Sequence, residues 1–342
     1  FIAASPTPFH AVAQMRARFQ AAGFELLSEQ QQWNVKPGRA YVVTRNDSSI
    51  IAFRAGNDLA DKGLRMIGAH TDSPCLKVKP SPELQRSGFF QLGVEVYGGV
   101  LLNPWFDRDL ALAGRITCRN SQGELNSVLY DSKRALGIIP SLAIHLDRDV
   151  NNNRSINAQK HLPVVMGLVQ SQSQNDFRLW LSAQLKSQGH DVEKVLDYEL
   201  SFYDNQRGAL VGIENDLVAS ARIDNLLSCF AGMQALIGGK ANSSGSARTQ
   251  LLVCNDHEEV GSLSAAGAQG TMLKGTLARL VPDAEARERC LHNSVFVSVD
   301  NAHGVHPNYA DKHDGNHGPV LNAGVVIKVN ANQRYASNAQ TQ

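Results

Sequence analysis

Residues 251–262, LLVCNDHEEVGS, pass from an apolar tetrapeptide into four consecutive ionisable side chains, Asp256, His257, Glu258 and Glu259. The apolar part reads as a buried strand. Its charged end cannot be buried without partners, because isolated charge is costly in an apolar medium. Gly261 and the small residues beyond it let the chain turn and pack closely. Two adjacent carboxylates suit a metal site with a general base beside it, one binding the ion and the other facing the substrate. A solvated acidic loop is the alternative reading of this stretch by itself. A zincin helix is excluded, since it needs a second His four residues after His257, where Gly261 stands.

Two other stretches share this design. The apolar run 64–69 ends in His70-Thr71-Asp72, and the run 294–299 ends in Asp300-Asn301-Ala302-His303. Short apolar runs alternating with helices predict a parallel sheet covered on both faces. Sites in such sheets form outside the carboxyl ends of the strands, so three polar clusters at strand ends are expected to converge. Helices are predicted after Thr7-Pro8, closed by Gly23, and after Asp224 as N-cap, stopped by Gly238-Gly239. A further helix carries Leu273, Leu277 and Leu280. Runs 41–44 and 50–53 flank Asn46-Asp47-Ser48 as a hairpin, and 324–329 is a last strand candidate. Between about 77 and 220, Gly and β-formers dominate, with strands at 113–119 and 125–129 joined by 120–123. Loops are expected at 151–153, 171–175 and 241–247.

Composition narrows the class. The 342 residues, 43% hydrophobic and 19% charged, are enough for a large core and two domains. A formal net charge of +1 gives no reason to expect nucleic acid or an anionic membrane as partner. The five cysteines are scattered and never form a CxxC pair, which suits a reducing, cytoplasmic compartment. No apolar run reaches the roughly 18 residues of a spanning helix, and residues 1–10 lack the pattern of a secretory leader. One His and several carboxylates, with no Cys in any cluster, suit zinc, cobalt or manganese at a catalytic site. The surplus of carboxylates points to two ions sharing a bridging group, roughly 3.5–4 Å apart.

Taken together, AHTDSPCLKVKP (69–80), YGGVLLNPWFDRDLALAGR (97–115), ARIDNLLSCF (221–230), NDHEEVGS (255–262), SVDNAHGVHPNYADKH (298–313) and VIKVNANQRYASN (326–338) resemble the M18 aspartyl aminopeptidases, over essentially the whole chain. That resemblance implies an α/β zinc-aminopeptidase (phosphorylase/hydrolase-like) catalytic domain, residues 1–80 and 216–342, with a β-rich dimerisation domain, 81–215, inserted between its parts. It implies removal of an N-terminal Asp or Glu from peptides by a hydroxide bridging two divalent metal ions, zinc first, with cobalt or manganese possible. His70 and Asp300 would hold one ion, Glu259 the other, and Asp224 would bridge them. Glu258 would be the general base, and Asp72 the acid that orients His70. His145 would reach a neighbouring subunit's site and contact substrate; a metal ligand, or a core His between Ile144 and Leu146, are its other readings. Lys328, an odd residue in an apolar run, would face the acidic side chain of the substrate. His303, His306, His313 and His317 read as loop-shaping residues or as supports that hold a metal ligand from outside. The assembly implied is a tetrahedral homododecamer built from dimers. Family members continue past the 334–338 motif to a His that completes the second ion site, so that ligand is expected beyond Gln342. A neutral aminopeptidase or N-acyl amino acid deacylase on the same scaffold, and a non-catalytic assembly protein, are the rival functions.

Overall fold

The computed structural model describes residues 1–169, 176–239, 248–332 and 336–340. The loops expected at 171–175 and 241–247 lie outside the described residues. The chain forms two compact units, Phe1–Val299 and Asp300–Gln342, each described by itself.

The first unit runs through helix α1 (Pro8–Ala21), strands β1 (Glu25–Leu26), β2 (Ala40–Arg45) and β3 (Ser49–Arg54), helix α2 (Leu59–Lys62) and strand β4 (Leu64–His70). There follow β5 (Cys75–Arg86), β6 (Phe89–Tyr97), β7 (Leu110–Arg119), β8 (Leu125–Asp131), α3 (Ala158–His161), β9 (Val164–Leu168), α4 (Phe177–Ser187) and β10 (Lys194–Asp204). The remainder is a hairpin of β11 (Ala209–Val211) and β12 (Leu217–Ala219), then α5 (Ile223–Gly238), β13 (Thr249–Asn255), α6 (Met272–Leu280), α7 (Ala284–His292) and β14 (Val295–Ser298). Among the described residues no helix is long and apolar enough to cross a membrane.

The first sheet has the order β1-β2-β3-β13-β4-β14. Its site-bearing strands β13, β4 and β14 are parallel, as expected. The sheet as a whole is mixed: β2 and β3 form the antiparallel hairpin expected around residues 46–48, and β3 is antiparallel to β13. The cause is local. Residues 46–48 are too few for a crossover, so they can only reverse the chain, and Asn46 and Asp47 take positive φ to do it. Strand β13 is covered on both faces. Leu252 and Cys254 pack with Met15, Phe19 and Met233 of α1 and α5, while Leu251 and Val253 pack with Met272, Leu277 and Cys290 of α6 and α7. Each such burial contributes roughly 1.5–3 kcal/mol. That fixes the strand in the core and leaves only its end free to be polar.

The second sheet, β8-β7-β10-β5-β6-β9, is antiparallel and has its own core around Leu112, Ile116, Phe177, Leu200 and Phe202. Only residues 71–74 separate β4 of the first sheet from β5 of the second. The β5–β6 register sets Tyr97 opposite Cys75, so β6 ends beside this short connection. The sheets are also tied at Arg115 of β7, whose guanidinium donates to the Asn46 carbonyl (2.7 Å) and to Asn46 Oδ1 (2.9 Å).

Helix α1 starts as predicted, with Thr7 at the N-cap and Pro8 in the first turn. Thr7 does not cap through its side chain; its Oγ1 lies 2.8 Å from His10 Nδ1. Burial pushes the His10 imidazole down to about 4, with Asp131 opposing and Lys133 adding to the shift. Between about pH 6.5 and 4 the unfolded chain therefore binds the proton and the folded chain does not, so stability is lost as pH falls through that window. The expected loss is up to roughly 3 kcal/mol. Denaturant titrations at several pH values check it, and a His10→Gln variant should flatten the slope.

In the second unit, 324–329 is not a strand, contrary to expectation. No described strand of that unit offers it an edge, and Val325, Ile327 and Val329 are exposed. Lys328 Nζ donates to Asp300 Oδ2 at 2.9 Å. His306 and His317 shape turns, accepting from Asn308 N–H and pairing with Asp314 respectively.

Candidate metal centre

The end of β4 supplies His70, and the parallel register places Asn255 of β13 opposite it. Thr71 N–H donates to the Asn255 carbonyl at 2.8 Å, so the two strand ends are locked where both chains leave the sheet. Beyond β13, His257 and Gly261 adopt positive φ and wind 258–260 into a tight turn. The turn is fixed by Asp256, which accepts from His257 N–H (2.8 Å), and by His257 Nδ1 against Ser264 Oγ (2.7 Å). Asp256 and His257 thus shape the loop that presents the next two carboxylates.

Asp72 is the organising anion. It is 1% exposed. Its Oδ1 accepts from Glu258 N–H at 3.1 Å, and its Oδ2 accepts from Glu259 N–H at 3.1 Å and from the Tyr97 hydroxyl at 2.7 Å. His70 Nδ1 lies 3.1 Å from the Asp72 backbone carbonyl oxygen and 3.3 Å from Oδ1. Burial would raise the Asp72 carboxyl, but the bonds from His70 and Tyr97 and from the Glu259 amide hold it below the usual carboxylate range. Burial and the Asp72 charge push the Tyr97 phenol well above its ordinary value, so it stays a donor.

With Nδ1 turned to Asp72, His70 directs Nε2 at Asp224 Oδ1 (3.4 Å) and Glu258 Oε2 (3.9 Å). A neutral imidazole that donates from Nδ1 meets these oxygens lone pair to lone pair, an arrangement that a shared cation resolves. Ligand atoms of His70, Glu258 and Glu259 all lie within 4.8 Å of one another. Burial pushes Glu259 up to about 7, and Asp72, Asp224 and Glu258 add to the shift while His70 opposes it. The site holds more negative charge than it can keep ionised without a cation. One imidazole nitrogen with carboxylate oxygens is a donor set that fits zinc.

Asp224 reaches this cluster differently from the expected helix cap. Its backbone is extended (φ −78, ψ 112), and the N-cap position of α5 is taken by Arg222. Its carbonyl accepts from Ser73 Oγ at 2.7 Å, and Asn225 Nδ2 donates to the Val299 carbonyl at 2.9 Å, tying the start of α5 to both neighbouring strand ends. Released from the helix axis, the Asp224 carboxylate is free to approach His70. Exposure divides the residues by role. The side chains of His70 and Asp72 are 7% and 1% exposed, whereas those of Asp224 and Glu258 are each 53% exposed and open to a substrate.

The structure therefore gathers His70, Asp72, Asp224, Glu258 and Glu259. Asp300 opens the second unit, paired with Lys328. His145 lies on an exposed turn between exposed Ile144 and Leu146, so it is no core histidine, and it is not among the gathered residues. Tyr97 and Ser264 were missed as participants by sequence reasoning. The signal for Tyr97 was present in its place before two glycines at the end of an alternating β run.

A family model described as "Aminopeptidase I zinc metalloprotease (M18)" matches residues 1–342. A protein of Pseudomonas syringae pv. syringae (strain B728a) named "Probable M18 family aminopeptidase 2" is 58% identical over 343 residues, spanning 100% of this chain and 79% of that protein. Among solved structures, one described as "Cryo-EM structure of the Ape4 and Nbr1 complex" matches with TM-score 0.92 at 38% identity, covering 98% of this chain and 68% of that one. Another, "Structure of S. cerevesiae mApe1 dodecamer", matches with TM-score 0.80 at 28% identity, covering 94% of this chain and 75% of that one.

Proposed function

This chain belongs to the M18 family of zinc aminopeptidases and is a metallo-aminopeptidase of the zinc-aminopeptidase fold; from that premise we propose that it removes an N-terminal Asp or Glu from peptides, at a site for two divalent ions. The observation that carries the reading is the excess of carboxylates around one imidazole, with Glu259 pushed up to about 7 by burial and by the neighbouring Asp72, Asp224 and Glu258. His70, Asp224 and Glu259 would hold the ions, with Asp300 added on the family resemblance. Bound zinc supplies polarisation of the scissile carbonyl and a water acidic enough to lose a proton near neutral pH. Glu258, half exposed beside His70, would be the base that takes a proton from the attacking water and returns it to the departing amine. Asp72 keeps the His70 tautomer and ring orientation. His145 would contact substrate in a neighbouring subunit. In this proposal residues 81–215 form the dimerisation domain, 1–80 and 216–342 the catalytic domain, and the assembly is a homododecamer, as one solved relative is described. The reducing compartment proposed is the cytoplasm. Native mass spectrometry reports the subunit number. Metal content of the intact protein, measured beside hydrolysis of aspartyl and leucyl amides, tests the function: two ions and aspartyl preference are expected, and a leucyl preference would sink the specificity claim.

Lys328 is the proposed partner of the substrate carboxylate. Its ammonium already receives a carboxylate, that of Asp300, at 2.9 Å. If Asp300 turns to an ion, Lys328 is released for the substrate. Truncating one member of a desolvated charge pair costs about 2–5 kcal/mol. Lys328→Gln should therefore lower the ratio of kcat/KM for aspartyl over leucyl amide by about 30-fold or more. An unchanged ratio would assign specificity elsewhere.

A further inference from the structure

We propose that Tyr97 is a positioning residue for the metal centre, entering from the second sheet to fix the Asp72 carboxylate and, through it, the His70 imidazole and the 258–260 turn. The inference rests on the zinc-site reading above and deepens it. Of the four groups that contact the Asp72 carboxylate, His70 and the two backbone amides belong to the strand-end segments of the first sheet. The Tyr97 hydroxyl comes from β6, and its 2.7 Å bond is the shortest of the four. It shares Oδ2 with the Glu259 amide, so a carboxylate that rotated to follow one would lose the other.

A second contact comes from the next residue. Gly98 has φ +70, and a Cβ placed there would lie 3.0 Å from Glu259 Cβ and 3.3 Å from the Glu259 carbonyl oxygen. The end of β6 thus presses its bare backbone against Glu259 while its last side chain holds Asp72. The Tyr97 ring is itself held, with Lys77 Nζ 5.2 Å from its centroid and the His257 ring 6.4 Å away. These ring contacts survive loss of the hydroxyl. What the hydroxyl adds is the direction of one carboxylate, and that carboxylate, together with the Asp72 backbone carbonyl 3.1 Å from His70 Nδ1, sets which His70 nitrogen is free.

The test is Tyr97→Phe in the full chain, with zinc affinity measured by chelator competition, unfolding of the zinc-free protein, and kcat and KM taken separately. Zinc affinity should fall about tenfold, the lower end for groups that orient a ligand from outside. Unfolding of the zinc-free protein should be unchanged, and kcat should fall more than KM rises. In an Asp72→Asn background the added Tyr97→Phe change should have little further effect, because the two act in series. Wild-type zinc affinity in Tyr97→Phe overturns the proposal and leaves the zinc site standing. Additive effects in the double variant, or a loss of zinc affinity matched by a loss of stability in the zinc-free protein, also overturn it. A wild-type protein that takes up no zinc overturns the site reading and this inference together.

Discussion

Glu258→Gln should lower kcat by about 10²–10⁴-fold, the usual contribution of a positioned general base, while the zinc content of the protein stays at the wild-type value. Gln matches the shape of Glu but has no basic oxygen to take a proton near pH 7. The backbone N–H of residue 258 still donates to Asp72 Oδ1, so the turn keeps its anchor. The side chain is 53% exposed, and the exchange there costs the fold little. The experiment also separates two neighbours that geometry brings equally into range, since Glu258 and Glu259 both lie within ligand distance of His70. Turnover by a small-peptide assay and zinc by mass spectrometry are the two readings. Retained zinc with lost turnover assigns Glu258 to the proton. Loss of both would make Glu258 a ligand and move the base to Glu259.

The second large effect is expected at Asp72→Asn. Both carboxylate oxygens accept a backbone N–H, from Glu258 and from Glu259. An amide has one accepting oxygen, so in either orientation its NH2 group faces an N–H donor. One buried donor is then left without an acceptor, at about 1–3 kcal/mol. Part of this is offset in the zinc-free protein, where removal of a charge relieves Glu259. The zinc-bound protein has no such relief. Zinc affinity should fall by about 10–100-fold, and the stabilisation that saturating zinc confers should shrink by about 1.4–2.7 kcal/mol. Thermal unfolding with and without zinc measures both. An unchanged zinc-dependent shift would show that Asp72 does not orient His70.

Much of this arrangement was legible in the chain for one physical reason. A strand buried on both faces is apolar where it packs, so the change from Cys254 to Asp256 marks the point where β13 ends. The same change at His70 marks the end of β4. The hairpin turn at 46–48 was equally local. What escaped depends on partners far along the chain. Tyr97 and Asp72 meet across 25 residues, and no periodicity reports such a bond. The mixed character of the sheet is decided by which strand sits beside β13, and hydrophobicity is blind to strand direction. Helix α7 was not anticipated because its sequence, AEARERCLH, buries only Cys290 and so carries almost no apolar stripe. The run 324–329 looked like a strand because it is apolar and β-branched, but composition does not supply a neighbouring edge.

The connection between the two sheets has a further consequence. Four residues, 71–74, carry the chain from β4 to β5, and they include Asp72. There is no slack here to act as a tether. Arg115 and Tyr97 close the same seam at separate points. The sheets are welded, and the weld is the chemistry itself. Such a protein is not modular at its centre. Its β-rich portion cannot be exchanged or trimmed at residues 71–74 without rebuilding the site, because a cut there severs the segment that carries Asp72.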